Sequence, residues 1–374
     1  MARCPDALPG TTLVSMFVAW RDLRFAKGRF ALMGAVIVLI TLLVGLLSGL
    51  TAGLARENVS AITGLPADRL AFAAPPAGQS ASFTNSTVSE KQWREWAGRP
   101  GVSAAAPLGI RTLNAASGDR TAAVSAFGAD PDAGLAPGAV GPGKAVLSES
   151  AAEELGVSTG GALRLGPLEL SVAGVAGDAS YSHTPVVWTS LDDWQKLGHG
   201  GTTPEEQATV IALRGDGTAD WTAGDRALGT EARTLDKALT AIGSYQAENG
   251  SLQLMRGFLF VISALVIGAF FTVWTIQRSG DVAVLKALGA STPYLLRDAL
   301  GQAVLMLTAG TLAGTALAVG TGFLISGGDV PFVLEPLTVL GPAAVIVVLG
   351  VLGSALSIRR ITAVDPLTAL GSAR

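Results

Sequence analysis

The sequence has a single cysteine, Cys4, so no disulfide can close within the chain and no cysteine-built zinc or iron–sulfur centre fits it. Histidine is almost as scarce, at two residues. Charge is thin as well: Asp, Glu, Lys and Arg make up 15% of 374 residues, against roughly 25% in soluble domains. The formal net charge of −3 lacks the basic excess of a nucleic-acid binder. The 47 glycines follow no three-residue period, which excludes a collagen-like chain. What fills the chain is apolar: 49% hydrophobic residues and a mean hydropathy of +0.47 describe a membrane protein.

A helix needs about 20 mostly apolar residues to cross a bilayer. Four stretches without Asp, Glu, Lys or Arg satisfy this, at 30–55, 257–277, 299–326 and 336–358. The first is too long for a signal-peptide core and reads as an anchor. Orientation follows from Lys and Arg in the short flanks. Arg21, Arg24, Lys27 and Arg29 precede the first span, Arg278, Lys286 and Arg297 lie in the 278–298 loop, and Arg359 and Arg360 follow the fourth span. The loop between the third and fourth spans carries Asp329 and Glu335 and no base. The segments 1–29, 278–298 and 359–374 are therefore expected in the cytoplasm, and 56–255 outside. That large segment holds 22 acidic and 14 basic residues, the balance of an exported soluble domain.

Within 56–255, short Val/Leu runs alternate with Gly, Pro and Asp turns. Strands are predicted at 145–147, 162–165, 168–175, 185–189 and 209–213, and helices at 89–97, 150–155, 191–197 and 233–242. Ser89 with Gln92, and Ser150 with Glu153, have capping-box spacing. Residues 71–87 read as a loop. The fold class is thus an α-helical membrane protein of four spans, with one mixed α/β extracytoplasmic domain inserted between the first and second. Inverted transporter repeats would need more spans, so dimerisation is the expected route to a pathway.

Several motifs are decoys. Gly138–Ala145 nearly matches a phosphate-binding loop, but Ala145 stands where Ser or Thr must hold Mg²⁺, and a strand follows it. His183 and His199 are too far apart for a helical metal pair and read as surface or strand-end residues; no metal site and no catalytic group is expected. Trp20, Trp188 and Trp274 read as interface or core residues.

Gly45, Gly49 and Gly53 recur every four residues and offer a smooth stripe for a second helix, expected to be a homodimer seam. Gly310 and Gly314 in the third span suit internal packing. In the 278–298 loop, Val282, Leu285 and Leu288 form one face of a short helix, with Lys286 beside it and Gly289 ending it. So few basic residues favour a partner's groove over a lipid surface.

This last run, DVAVLKALGAS over 281–291, resembles the cytoplasmic coupling motif of MacB/FtsX-type ABC transporter permeases. The resemblance covers nearly the whole chain. One span, a large outer domain and three further spans follow that family's order. Residues 19–30 resemble its amphipathic N-terminal helix, 145–165 the β-rich part of its outer domain, and 359–370 its C-terminal signature. Residues 242–271 are most similar to the haem-exporter (HrtB-like) and DevC-like branch, although Gly243-Ser244-Tyr245 lacks that branch's proline. The resemblance implies a homodimer in the bacterial cell membrane, driven by two copies of a separate ABC ATPase that binds the ATP. It implies no enzymatic activity in this chain, no permanently bound cofactor, and haem or another hydrophobic ligand as cargo. Arg56, Glu57, Tyr245, Glu248, Asn249, Met255 and Arg256 flank the first two spans and supply the candidate ligand contacts. Two alternatives are a non-transporting scaffold that relays ATPase motion to a cell-wall enzyme or sensor kinase, and a lipoprotein or peptide exporter.

Overall fold

A computed structural model describes residues 27–198, 207–277, 280, 284, 286, 289, 291–325, 330 and 332–362. In chain order the elements are α1 (Lys27–Thr63), β1 (Arg69–Ala73), β2 (Val88–Ser89), α2 (Glu90–Ala97), β3 (Val102–Ser117), β4 (Arg120–Ala129), β5 (Lys144–Leu147), α3 (Glu149–Leu155), β6 (Ala162–Leu165) and β7 (Leu168–Val175). They continue as β8 (Ser180–Tyr181), β9 (Thr184–Ser190), α4 (Leu191–Lys196), β10 (Gln207–Ala208), β11 (Val210–Gly215), α5 (Trp221–Leu228), β12 (Thr230–Thr234), α6 (Leu235–Ala238), α7 (Tyr245–Gln277), α8 (Thr292–Ile325) and α9 (Pro336–Thr362). The chain divides into a helical unit, 1–53 with 252–374, and an α/β unit, 54–251. Four helices are long and apolar enough to cross a membrane, and the α/β unit falls between the first and second in sequence.

In the helical unit, α1 and α8 mesh in four-residue steps. A side chain at Gly310 would meet Ile37, one at Gly314 would meet Thr41, and one at Gly45 would meet Ala318. Both numbers rise together, so the two helices run parallel. Small residues on one helix face occupied positions on the other, the close packing expected where lipid offers no hydrophobic drive. The next step holds a ring: Phe332 lies against both Gly49 and Gly322, where an added Cβ would come within 2.3 and 2.5 Å of it. The Val333 N–H donates to the Gly49 carbonyl at 3.2 Å. Two of the glycines expected at a homodimer seam make these contacts. Gly45 and Gly49 are taken up by their own chain; Gly53 is buried. Gly310 and Gly314 pack internally as expected. Met33, Ile37, Val44, Ile267, Phe271, Leu307 and Ile346 form the core of the unit. Leu32, Leu39, Leu43, Leu265 and Leu324 stay exposed on its outside, as lipid-facing residues would be.

In the α/β unit, β3 is the hub. Its first half pairs with β11, its second half with β4, and its end returns to β6 at Ala115↔Leu165. The order β3-β4-β9-β5-β7-β6 therefore closes on itself, and β11-β1-β12 extends from β3 as a wing. One core lies among Phe72, Phe83, Phe127, Tyr181 and Trp188; the other joins Val124, Leu147, Leu163 and Val187 to Trp96 and Trp194 of the surrounding helices.

Strands predicted at 145–147, 162–165, 168–175 and 185–189 coincide with β5, β6, β7 and β9, and α2, α3 and α4 match their predictions to within a residue or so. Ser89 and Gln92 do cap α2, with the Ser89 N–H donating to Gln92 Oε1 at 2.9 Å. The cap of α3 is Ser148, whose Oγ accepts the Ala151 N–H, whereas Ser150 Oγ donates to Asp178. Residues 71–73 are strand rather than loop, because β1 is paired on both sides. The predicted helix 233–242 begins as β12 and then becomes α6 and a short 3-10 turn.

Candidate functional site

The hairpin of β8 and β9 turns through Ser182 and His183, both at positive φ, 49° and 61°. Two-residue hairpin turns in this region usually hold Asn or Gly. Here two residues with side chains are kept in it by contacts with the end of α1. The Ser182 N–H donates to the Asn58 carbonyl at 3.0 Å and the His183 N–H to the Glu57 carbonyl at 3.3 Å. Ser60 Oγ donates to the Ser180 carbonyl and accepts the Ser180 N–H.

This docking places the imidazole between two carboxylates. His183 Nε2 lies 2.8 Å from Glu248 Oε2, and Nδ1 lies 3.8 Å from Glu57 Oε2. Asn58 Nδ2 donates to the same Glu248 oxygen at 2.7 Å. Glu248 sits in the first turn of α7, where the helix dipole favours an anion. The charge of Glu57 extends further: burial first, and Glu57 second, push the Glu154 carboxyl at the end of α3 upward. Asn58 and the hydrogen bond to Glu248 thus tie α1, the hairpin and the start of α7 together within one unit.

Of the residues predicted from sequence, Glu57 and Glu248 are brought together. Arg56 is exposed, Asn249 is half-buried, and Tyr245 packs against the aromatic core that includes Tyr181. Met255 is exposed in the helical unit, where Arg256 donates to Thr51 Oγ1 at 2.9 Å. His183, set aside as a surface histidine, is the residue the sequence reading missed. Its partners are 126 and 65 positions away, so no local pattern could report them. Among the described residues no group of three or more His, Cys, Asp and Glu side chains is arranged for a metal ion. His199, Trp20, Val282, Leu285 and Leu288 lie outside the described residues. Lys286 is helical and half-buried, and Gly289 turns the chain at φ 95°.

Comparison with known proteins adds sequence-wide likeness. Residues 30–231 match the family model for the MacB-like periplasmic core domain, and 254–366 match the FtsX-like permease C-terminal model. A hemin transport system permease protein HrtB from Staphylococcus haemolyticus is 28% identical over 382 residues, covering 95% of this chain and 99% of the relative. An ABC transporter permease from Mycobacterium tuberculosis is 25% identical over 371 residues, with the same coverage. The periplasmic region of MacB from Actinobacillus actinomycetemcomitans pairs 92% of its length with 47% of this chain, at 11% identity and a TM-score of 0.35.

Proposed function

This chain belongs to the ABC transporter permeases that join a MacB-like core domain to an FtsX-like C-terminal domain, and on that premise we propose that it exports haem or a closely related ligand from the membrane. As a multi-pass permease of the cell membrane it implies an ABC ATPase partner. The observation that supports the haem reading is the end-to-end likeness to a hemin transport permease.

In this reading two copies of the chain assemble with two ATPase subunits, which bind and hydrolyse the ATP. Leu285 and Leu288 enter an ATPase groove, with Val282 completing the apolar face, Lys286 at the rim and Gly289 ending the helix. The α/β unit lies outside and both termini in the cytoplasm. Haem is cargo rather than cofactor, taken up beside the first and second spans. Arg56 and Arg256 suit its propionates, and Glu57, Tyr245, Glu248, Asn249 and Met255 are the other candidate contacts. A weak site suits export, because tight ligation would hold the cargo.

The test is a haem titration of the purified permease in lipid nanodiscs, followed by Soret absorbance, paired with haem tolerance of cells expressing permease and ATPase together. A saturable spectral change and an ATPase-dependent gain in tolerance are expected. Absence of both removes haem as the cargo.

A further inference from the structure

We propose that His183 binds the iron of the transported haem, with Glu248 orienting the imidazole rather than holding the metal. This rests on the haem reading above and assigns to one residue the contact that the sequence spread over two carboxylates, an asparagine, a tyrosine and a methionine.

Three observations carry it. First, the backbone at Ser182 and His183 is held at positive φ although neither residue is glycine. Such conformations persist where surrounding contacts over-determine them, and they cluster at ligand clamps and switches. The strain here has one visible product, the placement of the imidazole beside Glu57 and Glu248. Second, the hydrogen bonding selects a tautomer. A carboxylate can only accept, so the ring nitrogen 2.8 Å from Glu248 Oε2 carries the hydrogen. In the neutral ring this leaves the lone pair on Nδ1, which faces Glu57 at 3.8 Å, beyond hydrogen-bond reach. An imidazole fixed by a carboxylate through one nitrogen, with the other free, is the arrangement of a metal-ligating histidine. Third, the His183 side chain keeps 35% of its surface exposed, so a planar ligand can approach it.

Imidazole is the commonest protein ligand to haem iron, whereas carboxylates are not among the usual ones. The step is a single dative bond from Nδ1 of the neutral imidazole to ferric iron, displacing a water or a weaker ligand, with no change of oxidation state. The Glu248 hydrogen bond stays in place. Glu57, the nearer carboxylate on the Nδ1 side, gives way as the iron enters.

The experiment uses the full chain in nanodiscs, with haemin as probe, and compares wild type, His183→Ala, His183→Gln and Glu248→Gln. Size-exclusion profiles matching wild type establish that each variant is folded. For wild type, haem co-migrating with protein and a Soret shift are expected. Both histidine variants should bind at least tenfold more weakly, and 10 mM imidazole should restore protein-associated haem to His183→Ala, because the freed space admits the missing ring. Glu248→Gln should keep binding with a shifted Soret maximum. Unchanged binding in His183→Ala overturns the proposal while leaving the haem reading intact. Loss that imidazole does not repair also overturns it, by showing a structural role. If His183→Ala does not fold, His183→Gln decides alone: retained wild-type affinity and spectrum overturn the proposal. No binding by wild type overturns both readings, at the first measurement.

Discussion

Gly109 and Gly128 face each other across β3 and β4, and the Trp194 indole of α4 lies on both. Neither glycine needs a special backbone conformation; each is required for space. A Cβ at Gly128 would come within 2.3 Å of the Trp194 Cβ, and one at Gly109 within 2.3 Å of the ring. Trp194 is only 5% exposed, so it has nowhere to go.

Gly128→Ala should therefore destabilise the protein by about 1–3 kcal/mol, the usual cost of overpacking. Thermal unfolding of the detergent-solubilised protein, followed by tryptophan fluorescence, checks this. An unchanged midpoint would show that α4 shifts freely.

Gly49 and Phe332 should be energetically coupled. Gly49→Ala displaces the ring in the wild type but meets little in a Phe332→Ala background. A double-mutant cycle should return a coupling of about 0.5–3 kcal/mol, the range for residues in contact. Additive effects would contradict the socket.

Asp193 gives a pH prediction. Burial alone would push its carboxyl up, but hydrogen bonds from Lys196, the Gly143 N–H and Ser190 outweigh burial and hold it below the usual carboxylate range. Lys196 Nζ lies 2.8 Å from Oδ1 and the Gly143 N–H 2.7 Å from Oδ2. A folded-state value below the unfolded one means stability that is complete above the unfolded value and lost as pH falls through the folded one. Asp193→Asn should cost about 1.5–3 kcal/mol at pH 7, as for hydrogen bonds to a charged group. The gap should close as pH drops below about 4, and a gap that stays constant from pH 7 to pH 3 would sink this account.

Leu285→Asp should abolish co-purification of the ATPase while leaving the permease intact, because an unpaired carboxylate in an apolar groove costs several kcal/mol. Full retention of the ATPase would place the contact elsewhere.

Much of this fold was legible from local signals. Charge-free runs marked the spans, and β6, β7 and β9 announced themselves through Val, Leu and bounding turns. The hub strands β3 and β4 did not. Ala104, Ala105, Ala106, Ala115, Ala116, Ala122 and Ala123 are poor strand formers in isolation, and only pairing with other strands makes them sheet. The same holds for β1, hidden in an Ala- and Pro-rich stretch. At the site, Glu57 and Glu248 could be chosen because they flank spans. Asn58 and His183 could not, because their meeting depends on where one hairpin lands.

The meshing of α1 with α8 limits how the first span can move. Rungs at Ile37/Gly310, Thr41/Gly314 and Gly45/Ala318 repeat at four residues, close to one helical turn. Small sliding drives methyl groups into backbone, so intermediate positions are crowded. The pair behaves like a toothed rack: it stays engaged, disengages entirely, or skips one tooth of about 6 Å, four residues of helix rise. Movement along this contact is therefore stepwise, and a drive acting on α8 would reach α1 as a whole step or not at all.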